Sequence, residues 1–276
     1  MSLSPAFVVL TDFFAVTNRA LSYAAGLAVP LKAPLVLLHV RHDELLSPEE
    51  YANRYTLSGE RETLAGLHKL ADSQPVPTEV EVSEEILPEA VADAVRHYHP
   101  QLVVLGRPGA ATTPADVVRA AARDLLHHVP FPLLVVPTVG GAFPPRKLAL
   151  AVDGDDFTLY EAHSIVQHLL SGLQASLTLL TVTSQPDTGA MAGPRARESV
   201  RMSGLVPSQA MAGQPHVVSS PSIPDGILQG AAEVEADLLV VIARRHSLLG
   251  RLFHHSTTAQ LISDSPLPVL LMPALD

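Results

Sequence analysis

Residues 102–107 read LVVLGR and residues 130–137 read PFPLLVVP; 136 positions later the chain reads LLVVIA at 238–243 and PLPVLLMP at 266–273. These segments align without a gap, and the three prolines of the first closing segment match the three of the second. Matching segments at a fixed offset indicate a repeated structural unit. The sequence therefore predicts two similar domains in tandem.

The beginnings of the two halves also resemble each other. FVVLTD at 7–12 and LALAVD at 148–153 are apolar runs that end in an aspartate. A second pair follows, with LVLLHV at 35–40 and LTLLTV at 177–182. The repeat thus extends over nearly the whole chain.

A Gly- and Pro-rich stretch, TVGGAFPPR, separates the halves at residues 138–146. Clusters of this composition are typical of connections between folded units. We predict a first domain at 1–137, a linker at 138–146 and a second domain at 147–276. Similar domains with equivalent surfaces favour a pseudo-twofold pair, so we expect the domains to pack against each other within the chain.

Continuous apolar runs alternate with helical patterns in each half. In the first half we predict strands at 7–11, 35–40, 78–83, 102–106 and 133–136, and helices at 17–30, 58–73, 86–98 and 115–128. Strands without polar alternation are covered on both faces, which is typical of a doubly wound α/β fold with a five-stranded parallel sheet. The segment 185–215 holds four glycines and four prolines, and we predict a long, partly mobile loop with one short helix there.

The composition excludes several classes of function. The chain has 276 residues, a net charge of −10 and no cysteine, so disulfides, thiolate catalysis and cysteine-ligated zinc are excluded. No basic stripe stands out, and nucleic acid is therefore not an expected partner. We found no signal peptide and no apolar run long enough to cross a membrane, so we expect a cytoplasmic protein without a membrane partner.

The candidate site follows from the sheet. In an open parallel sheet the crevice lies beyond the carboxyl ends of the strands, where the strand order reverses. With the first and fourth strands central, that crevice is lined by Thr11, Asp12 and the loop 106–109. Gly106 and Gly109 would let backbone N–H groups approach an anion. The alternative is that Asp12 caps the next helix and Gly106 only ends a strand.

These motifs together resemble the universal stress protein family. The features that carry the resemblance are the apolar run ending in Thr-Asp, the LLHV strand, the G-x-x-G after the fourth strand and the closing P-x-P-LLVVP. The resemblance implies a flavodoxin-like α/β fold and pairs of domains packed through their last strands. It also implies two subclasses. One binds ATP through G-x2-G, nine residues, and then Gly and Ser/Thr; the other lacks that pattern and does not bind ATP.

The first repeat keeps only part of the implied nucleotide pattern. Where the resemblance calls for a Gly and a hydroxyl residue, the chain has Arg119 and Ala120, and Pro108 removes an amide donor between the glycines. The loss of a hydroxyl donor costs about 0.5–1.5 kcal/mol. The candidate nucleotide-binding residues are Thr11, Asp12, Val40, Gly106, Arg107, Gly109 and Arg119.

The second repeat departs further. Ile242 and Arg245 replace the two glycines, and neither lets a backbone approach a ligand as glycine does. The residues of this degenerate site are Asp153, Val182, Arg245 and Ser256. The basic stretch RRHSLLGRLFHHS at 244–256 could hold another anion; the interpretation we favour is a solvated loop and a helix capped by Ser256.

Metal sites are not indicated. VDGDDF at 152–157 places three carboxylates after a strand, but a loop with a helix cap explains it better than Mg²⁺. Each of the two His-His pairs, 127–128 and 254–255, supplies at most one ligand, because adjacent helical side chains point about 100° apart.

The leading hypothesis is a stress-response regulatory or binding protein without turnover of its own. It would have a degenerate adenine-nucleotide site in the first domain, open to ATP or a similar nucleotide with Mg²⁺, and none in the second. The alternative is an ATP-binding protein with slow hydrolysis or phosphotransfer, although no positioned general base is evident. A homodimer and an unidentified protein partner both stay open.

Overall fold

The first half contains the five strands and four helices that the sequence predicts. The structure, a computed structural model, describes residues 5–11, 17–41, 57–107, 115–160, 165–184, 189–244 and 256–275. The first half contains the strands β1 (Phe7–Leu10), β2 (Leu35–Val40), β3 (Thr78–Ser83), β4 (Leu102–Arg107) and β5 (Leu133–Pro137). Its helices are α1 (Thr17–Leu31), α2 (Leu57–Asp72), α3 (Leu87–Tyr98) and α4 (Ala115–His128). Each bound lies within one residue of its prediction.

The second half repeats this alternation with one added strand. Its strands are β6 (Lys147–Ala151), β7 (Thr158–Leu159), β8 (Ser176–Thr183), β9 (His216–Ser219), β10 (Leu238–Arg244) and β11 (Val269–Leu275). Its helices are α5 (Ile165–Gly172), α6 (Gly189–Ser203), α7 (Ile223–Glu233) and α8 (Thr257–Asp264), with a 3₁₀ turn at Ser208–Met211.

The two halves have the same strand order. The first is β3-β2-β1-β4-β5 and the second, read from its outer edge, is β9-β8-β6-β10-β11, with parallel neighbours along each path. The added strand β7 pairs antiparallel with β11. The order reverses between β1 and β4, and between β6 and β10. This confirms the predicted α/β fold with two flavodoxin-like domains, and it places the crevice of each domain where the sequence predicts it.

The two sheets join through their last strands. β5 and β11 pair antiparallel, with Leu134 opposite Leu270 and Val135 opposite Val269. Leu134 and Leu270 are also equivalent in the repeat, since they lie 136 positions apart (270 − 134). The pseudo-twofold axis therefore passes through this pair, and one continuous sheet crosses the molecule.

The helices cover both faces of the joined sheet, and each apolar layer crosses the domain junction. On one face Leu125 of α4 and Ile262 of α8 belong to the same buried cluster. On the other face Ala24 of α1 shares a cluster with Ile165 and Leu169 of α5. The two domains thus share their cores instead of meeting through a polar surface.

The segment 185–215 differs from its prediction. Residues 189–203 form the fifteen-residue helix α6, which contains Pro194, and a 3₁₀ turn follows. Proline weakens a helix interior, but Ala196 and Val200 are fully buried against the apolar face of β8. Tertiary packing overrides the local propensity here. The prediction of a long loop with one short helix is therefore wrong for the described residues 189–211.

The linker 138–146 packs against helix α1 of the first domain. Gly140 and Gly141 have positive φ angles of 99° and 71°, a conformation that glycine adopts without strain. The ring of Phe143 meets the ring of Tyr23 edge-on at 5.2 Å and lies against Gly26 of α1. Arg19 donates to the carbonyl oxygen of Gly140 at 3.0 Å. These contacts tie the linker to α1.

Among the described residues, none of the helices combines the length and apolar character that a membrane crossing requires.

Candidate functional site

The first-domain crevice holds part of the predicted set. Thr11 follows β1 and is buried, and its hydroxyl donates to the carbonyl oxygen of Leu38 at 3.2 Å. Val40 ends β2 and is also buried, and Gly106 lies in β4 opposite Val136. Arg119 lies on α4 and is partly exposed. Asp12 and Gly109 lie outside the described residues, so the nucleotide role of this set stays a prediction.

Arg107 does not line this crevice with its charged group. Its guanidinium crosses to the second domain, where Nη1 donates to the carbonyl oxygens of Ile262 at 2.6 Å and Ser263 at 2.7 Å, and Nη2 donates to that of Ser265 at 2.6 Å. The guanidinium of Arg107 is thus engaged with the second domain in this structure, and its role as a nucleotide contact stays a prediction. The sequence could not reveal this contact because it depends on how the domains pack.

The second domain contains a cavity of about 450 Å³ at the carboxyl ends of its central strands. The ends of β6, β8 and β10 and the first turns of α7 and α8 surround it. The lining residues are Ala151, Val152, Asp153, Leu180, Val182, Ile223, Ile227, Val241, Ile242, Arg244, Ser256, Thr257 and Thr258. Three of the four residues predicted for the second site, Asp153, Val182 and Ser256, are thus brought together; Arg245 lies outside the described residues.

The prediction that the second domain has no adenine-nucleotide site stays a prediction, but its residues do enclose an open cavity. Ile242 lines the cavity and does not fill it. One wall of the cavity is built by the close approach of α7 to β8. A Cβ at Gly226 would lie 2.6 Å from Cγ1 of Val182, and a Cβ at Gly230 would also meet β8 through Leu180. The two glycines lie four residues apart on one helix face, a signal that the sequence analysis missed.

The polar side of the cavity is an ion pair. Nη2 and Nε of Arg244 donate to Oδ1 and Oδ2 of Asp153 at 2.7 and 3.1 Å. Arg244 also donates to the backbone carbonyl oxygens of Asp155 and Asp156, each at 2.9 Å, and its guanidinium lies 6.0 Å from the ring centroid of Phe157. The side chain of Arg244 is 11% exposed and that of Asp153 is 56% exposed. Asp153 therefore lines the cavity as the partner of an ion pair with Arg244.

The sequence analysis included Arg244 only in the basic stretch 244–256 and assigned its neighbour Arg245 to the second site. The sequence does contain an indication of this pair. β6 and β10 are adjacent strands whose last paired residues are Ala151 and Val241, and oppositely charged residues, Asp153 and Arg244, follow these positions. The same arginine contacts the VDGDDF loop through the carboxylate of Asp153 and the carbonyl groups of Asp155 and Asp156. No cluster of metal-ligating side chains occurs in the part of the chain that the structure describes.

The first turn of α8 forms the third side of the cavity. Ser256 is its N-cap, and its Oγ accepts from the backbone N–H of Ala259 at 3.1 Å. This confirms that Ser256 caps a helix. Thr257 and Thr258 complete the turn and also line the cavity. A helix N-terminus presents N–H groups and a positive dipole end to a ligand.

Comparison with known proteins identifies relatives of both domains. The model of the universal stress protein family matches residues 6–137 and again residues 145–273. A universal stress protein from Archaeoglobus fulgidus DSM 4304 is 17% identical, has a TM-score of 0.68, and the match covers 98% of each chain. A putative universal stress protein from Pseudomonas aeruginosa UCBPP-PA14 is 16% identical with a TM-score of 0.54, covering 99% of this chain and 94% of that one.

A single-domain match is a universal stress protein family protein from Arabidopsis thaliana with AMP bound. It is 14% identical, with a TM-score of 0.35, and the match covers 48% of this chain and 92% of that one. No curated protein sequence matches this chain.

Proposed function

Because this chain belongs to the universal stress protein family through both of its domains, we propose that it is a cytoplasmic regulatory protein that responds to a small ligand and has no turnover of its own. We place the ligand in the cavity of the second domain. The regulatory output would depend on which form, empty or occupied, a partner protein recognises.

The observation that carries this proposal is the cavity itself. Its volume of about 450 Å³ lies within the range of about 300–1,000 Å³ that small-molecule sites occupy. One side is apolar, with Val182, Ile223 and Ile227. The first turn of α8 also lines the cavity, and so do Arg244 and Asp153. A site with one apolar wall and one anion-favouring wall suits a ligand that has a flat apolar part and a single anionic group.

A nucleoside monophosphate has this chemistry, and AMP is the ligand that we propose first. Its base would lie against the apolar wall, and its phosphate would face the N-terminus of α8. Ile242 stands where a glycine would be needed for a longer phosphate chain to approach the backbone. We therefore expect AMP to bind more tightly than ATP, with or without Mg²⁺.

The first-domain site stays a weaker candidate. Arg107 is engaged with the second domain, and the hydroxyl of Thr11 donates to Leu38. Two of the polar groups that the sequence assigned to a nucleotide there are thus used within the protein. We expect one equivalent of AMP per chain.

Titration calorimetry of the full chain with AMP tests the proposal, with Ile223→Trp as the variant. Ile223 lines the cavity and is 39% exposed, so an indole can enter the cavity from its rim without repacking the core. We expect this variant to bind AMP at least about tenfold more weakly, a difference of about 1.4 kcal/mol.

Met202→Trp is the matched control. Met202 is an exposed apolar residue of the same domain and lies outside the cavity lining, so its replacement should leave the AMP affinity unchanged. Wild-type binding that persists at full strength in Ile223→Trp would place the nucleotide elsewhere. An absence of AMP binding to the wild-type chain would refute the proposed ligand.

A further inference from the structure

Helix α8 has a different neighbour at each of its ends. Its first turn lines the second-domain cavity through Thr257 and Thr258. Its last turn is held by Arg107, which belongs to the first domain. An eight-residue helix is only about 12 Å long and moves as one body. Whatever fixes its last turn also fixes the wall that it contributes to the cavity.

Arg107 makes charge-assisted hydrogen bonds to the end of α8, a strong class of hydrogen bond. The three carbonyl groups that it binds, those of Ile262, Ser263 and Ser265, lie at the end of a helix, where carbonyl groups lack partners further along the helix. A cation at this end also complements the helix dipole. Burial lowers the pKa of Arg107, and the carboxylate of Asp264 raises it again; a guanidinium stays protonated under these conditions.

The contact is also one-sided. In the repeat, Arg107 corresponds to Ala243, because 107 + 136 = 243. The methyl group of Ala243 cannot donate a hydrogen bond. The symmetry-equivalent contact, from the second domain to α4, therefore cannot form at this position. The pairing of β5 with β11 and the packing of α4 on α8 obey the pseudo-twofold symmetry and already hold the domains together. The arginine is an addition on the side where α8 borders the cavity.

We propose that Arg107 is a positioning residue for the ligand site of the second domain: from the first domain it fixes α8, and through α8 the wall formed by residues 256–258. This inference rests on the proposed function for its ligand. It gives the first domain a role in binding even though the ligand contacts only the second.

The test compares Arg107→Met with Gln101→Met in the full chain. Arg107→Met keeps an apolar stem and removes every donor. Gln101 makes another contact between the domains, with its Oε1 2.6 Å from Nδ1 of His168 on α5, but α5 lies on the opposite face of the sheet from α8. Both variants weaken the interdomain contact, and only the first alters the helix that borders the cavity.

We expect amide exchange of residues 257–264 in the ligand-free protein to be about tenfold faster in Arg107→Met, and AMP binding to be about tenfold weaker, as the loss of a charge-assisted contact predicts. Gln101→Met should lower the thermal midpoint without changing either quantity. Arg107→Lys should give intermediate values, because an ammonium group lacks the planar fork that reaches three carbonyl groups.

The possible failures are distinguishable. Unchanged exchange of α8 in Arg107→Met, or faster exchange with unchanged AMP affinity, overturns the positioning role. If the wild-type chain binds no AMP, the proposed function fails, and the inference is decided by a dye attached at Ile223→Cys, which is the single thiol in a chain without cysteine.

That dye sits at the rim of the cavity, so its emission should change with Arg107→Met and not with Gln101→Met; the same emission in both variants overturns the inference. If Arg107→Met does not fold, Arg107→Lys is measured in its place, and exchange and affinity equal to those of the wild type overturn the inference.

Discussion

Arg107 and Arg244 end the equivalent strands β4 and β10, yet one reaches out of its domain and the other turns back into it. Arg107 corresponds to Ala243 in the repeat, so the two arginines are one position apart. Successive side chains of a strand point to opposite faces of the sheet. Arg107 accordingly meets α8 on one face, and Arg244 lies near Phe157 in the cluster of the other face. The position of the arginine along the strand, which differs by one residue between the domains, determines whether its guanidinium contacts the other domain or lines the cavity.

A second difference lies in the helices that follow β3 and β9, which are α3 and α7. Gly226 and Gly230 of α7 correspond to Ala90 and Ala94 of α3, again at the offset of 136. All four residues are buried. The glycines let α7 approach β8 more closely than alanines would allow, as the short distances from their missing Cβ atoms indicate. The two domains thus share a topology and differ in how the wall beside the crevice is built.

The largest effect is expected from Arg244→Met. The guanidinium organises the loop 153–156 through one carboxylate and two carbonyl groups, and hydrogen bonds to charged groups contribute about 1.5–3 kcal/mol each when buried. Because Asp153 is half exposed and can be solvated, we expect a loss of about 2–3 kcal/mol in the free energy of unfolding. Urea denaturation followed by circular dichroism measures it.

Arg201→Met is the control for the removal of an arginine from this domain. Arg201 pairs with Glu198 on the surface of α6, and exposed pairs contribute little to stability. Its replacement should leave the unfolding midpoint unchanged. Equal effects of the two substitutions would mean that Arg244 is only a surface charge and that the comparison with Arg107 is unfounded.

A smaller effect is expected from Gly226→Ala, which gives α7 the residue that α3 has at the same position. The new methyl group would lie 2.6 Å from Val182 and 2.9 Å from Cβ of Ser220, and overpacking of this kind costs about 1–3 kcal/mol. It should also weaken AMP binding, because α7 and Val182 both border the cavity. Thermal unfolding and calorimetry of the variant test the two statements.

Gly66→Ala is the matched control in a helix of the first domain. Among the described residues, no heavy atom beyond its chain neighbours and its own helix backbone lies within 4 Å of the position that its Cβ would take. The higher helix propensity of alanine should therefore raise stability by about 0.5–1 kcal/mol. Opposite signs for the two substitutions would establish that α7 needs glycine for contact with β8. Stabilisation by both would refute the close packing of α7.

The strands and most helices of this fold could be predicted because their signals are local. β2 and β4 are largely apolar runs, interrupted by His39 in β2 and ended by Arg107 in β4, and they are almost entirely buried. Such runs can be read without knowing their neighbours. Helix α6 could not be predicted, because its glycines and Pro194 disfavour a helix locally and only burial of Ala196 and Val200 against β8 offsets this.

The candidate site was less predictable for the same reason. The strand-end positions of Asp153, Val182 and Ser256 follow from topology, and the structure does bring them together. The partners of Arg107 lie 155 to 158 positions away from it in the sequence. The carboxylate partner of Arg244 lies 91 positions away. Whether the pocket stays open depends on how closely α7 packs, and no single motif encodes that distance.

The smallest effect, and the one that probes the ion pair most directly, is expected from Asp153→Asn. Without the carboxylate, Arg244 keeps its bonds to two carbonyl groups but loses its ion pair with Asp153, so the site becomes more favourable to an anionic ligand. We expect AMP to bind about fivefold more tightly, or about 1 kcal/mol, with a stronger dependence on salt.

Asp155→Asn separates this local effect from a general change of charge. It alters the net charge equally, whereas the hydrogen bond from Arg244 to this residue goes to its backbone carbonyl group. The affinity should therefore change little once salt screens the added charge. A loss of affinity in Asp153→Asn alone would reverse the argument. The carboxylate would then contact the ligand itself, as the family resemblance implies for Asp12. The second domain would in that case have kept the ligand contact of this aspartate despite its ion pair with Arg244.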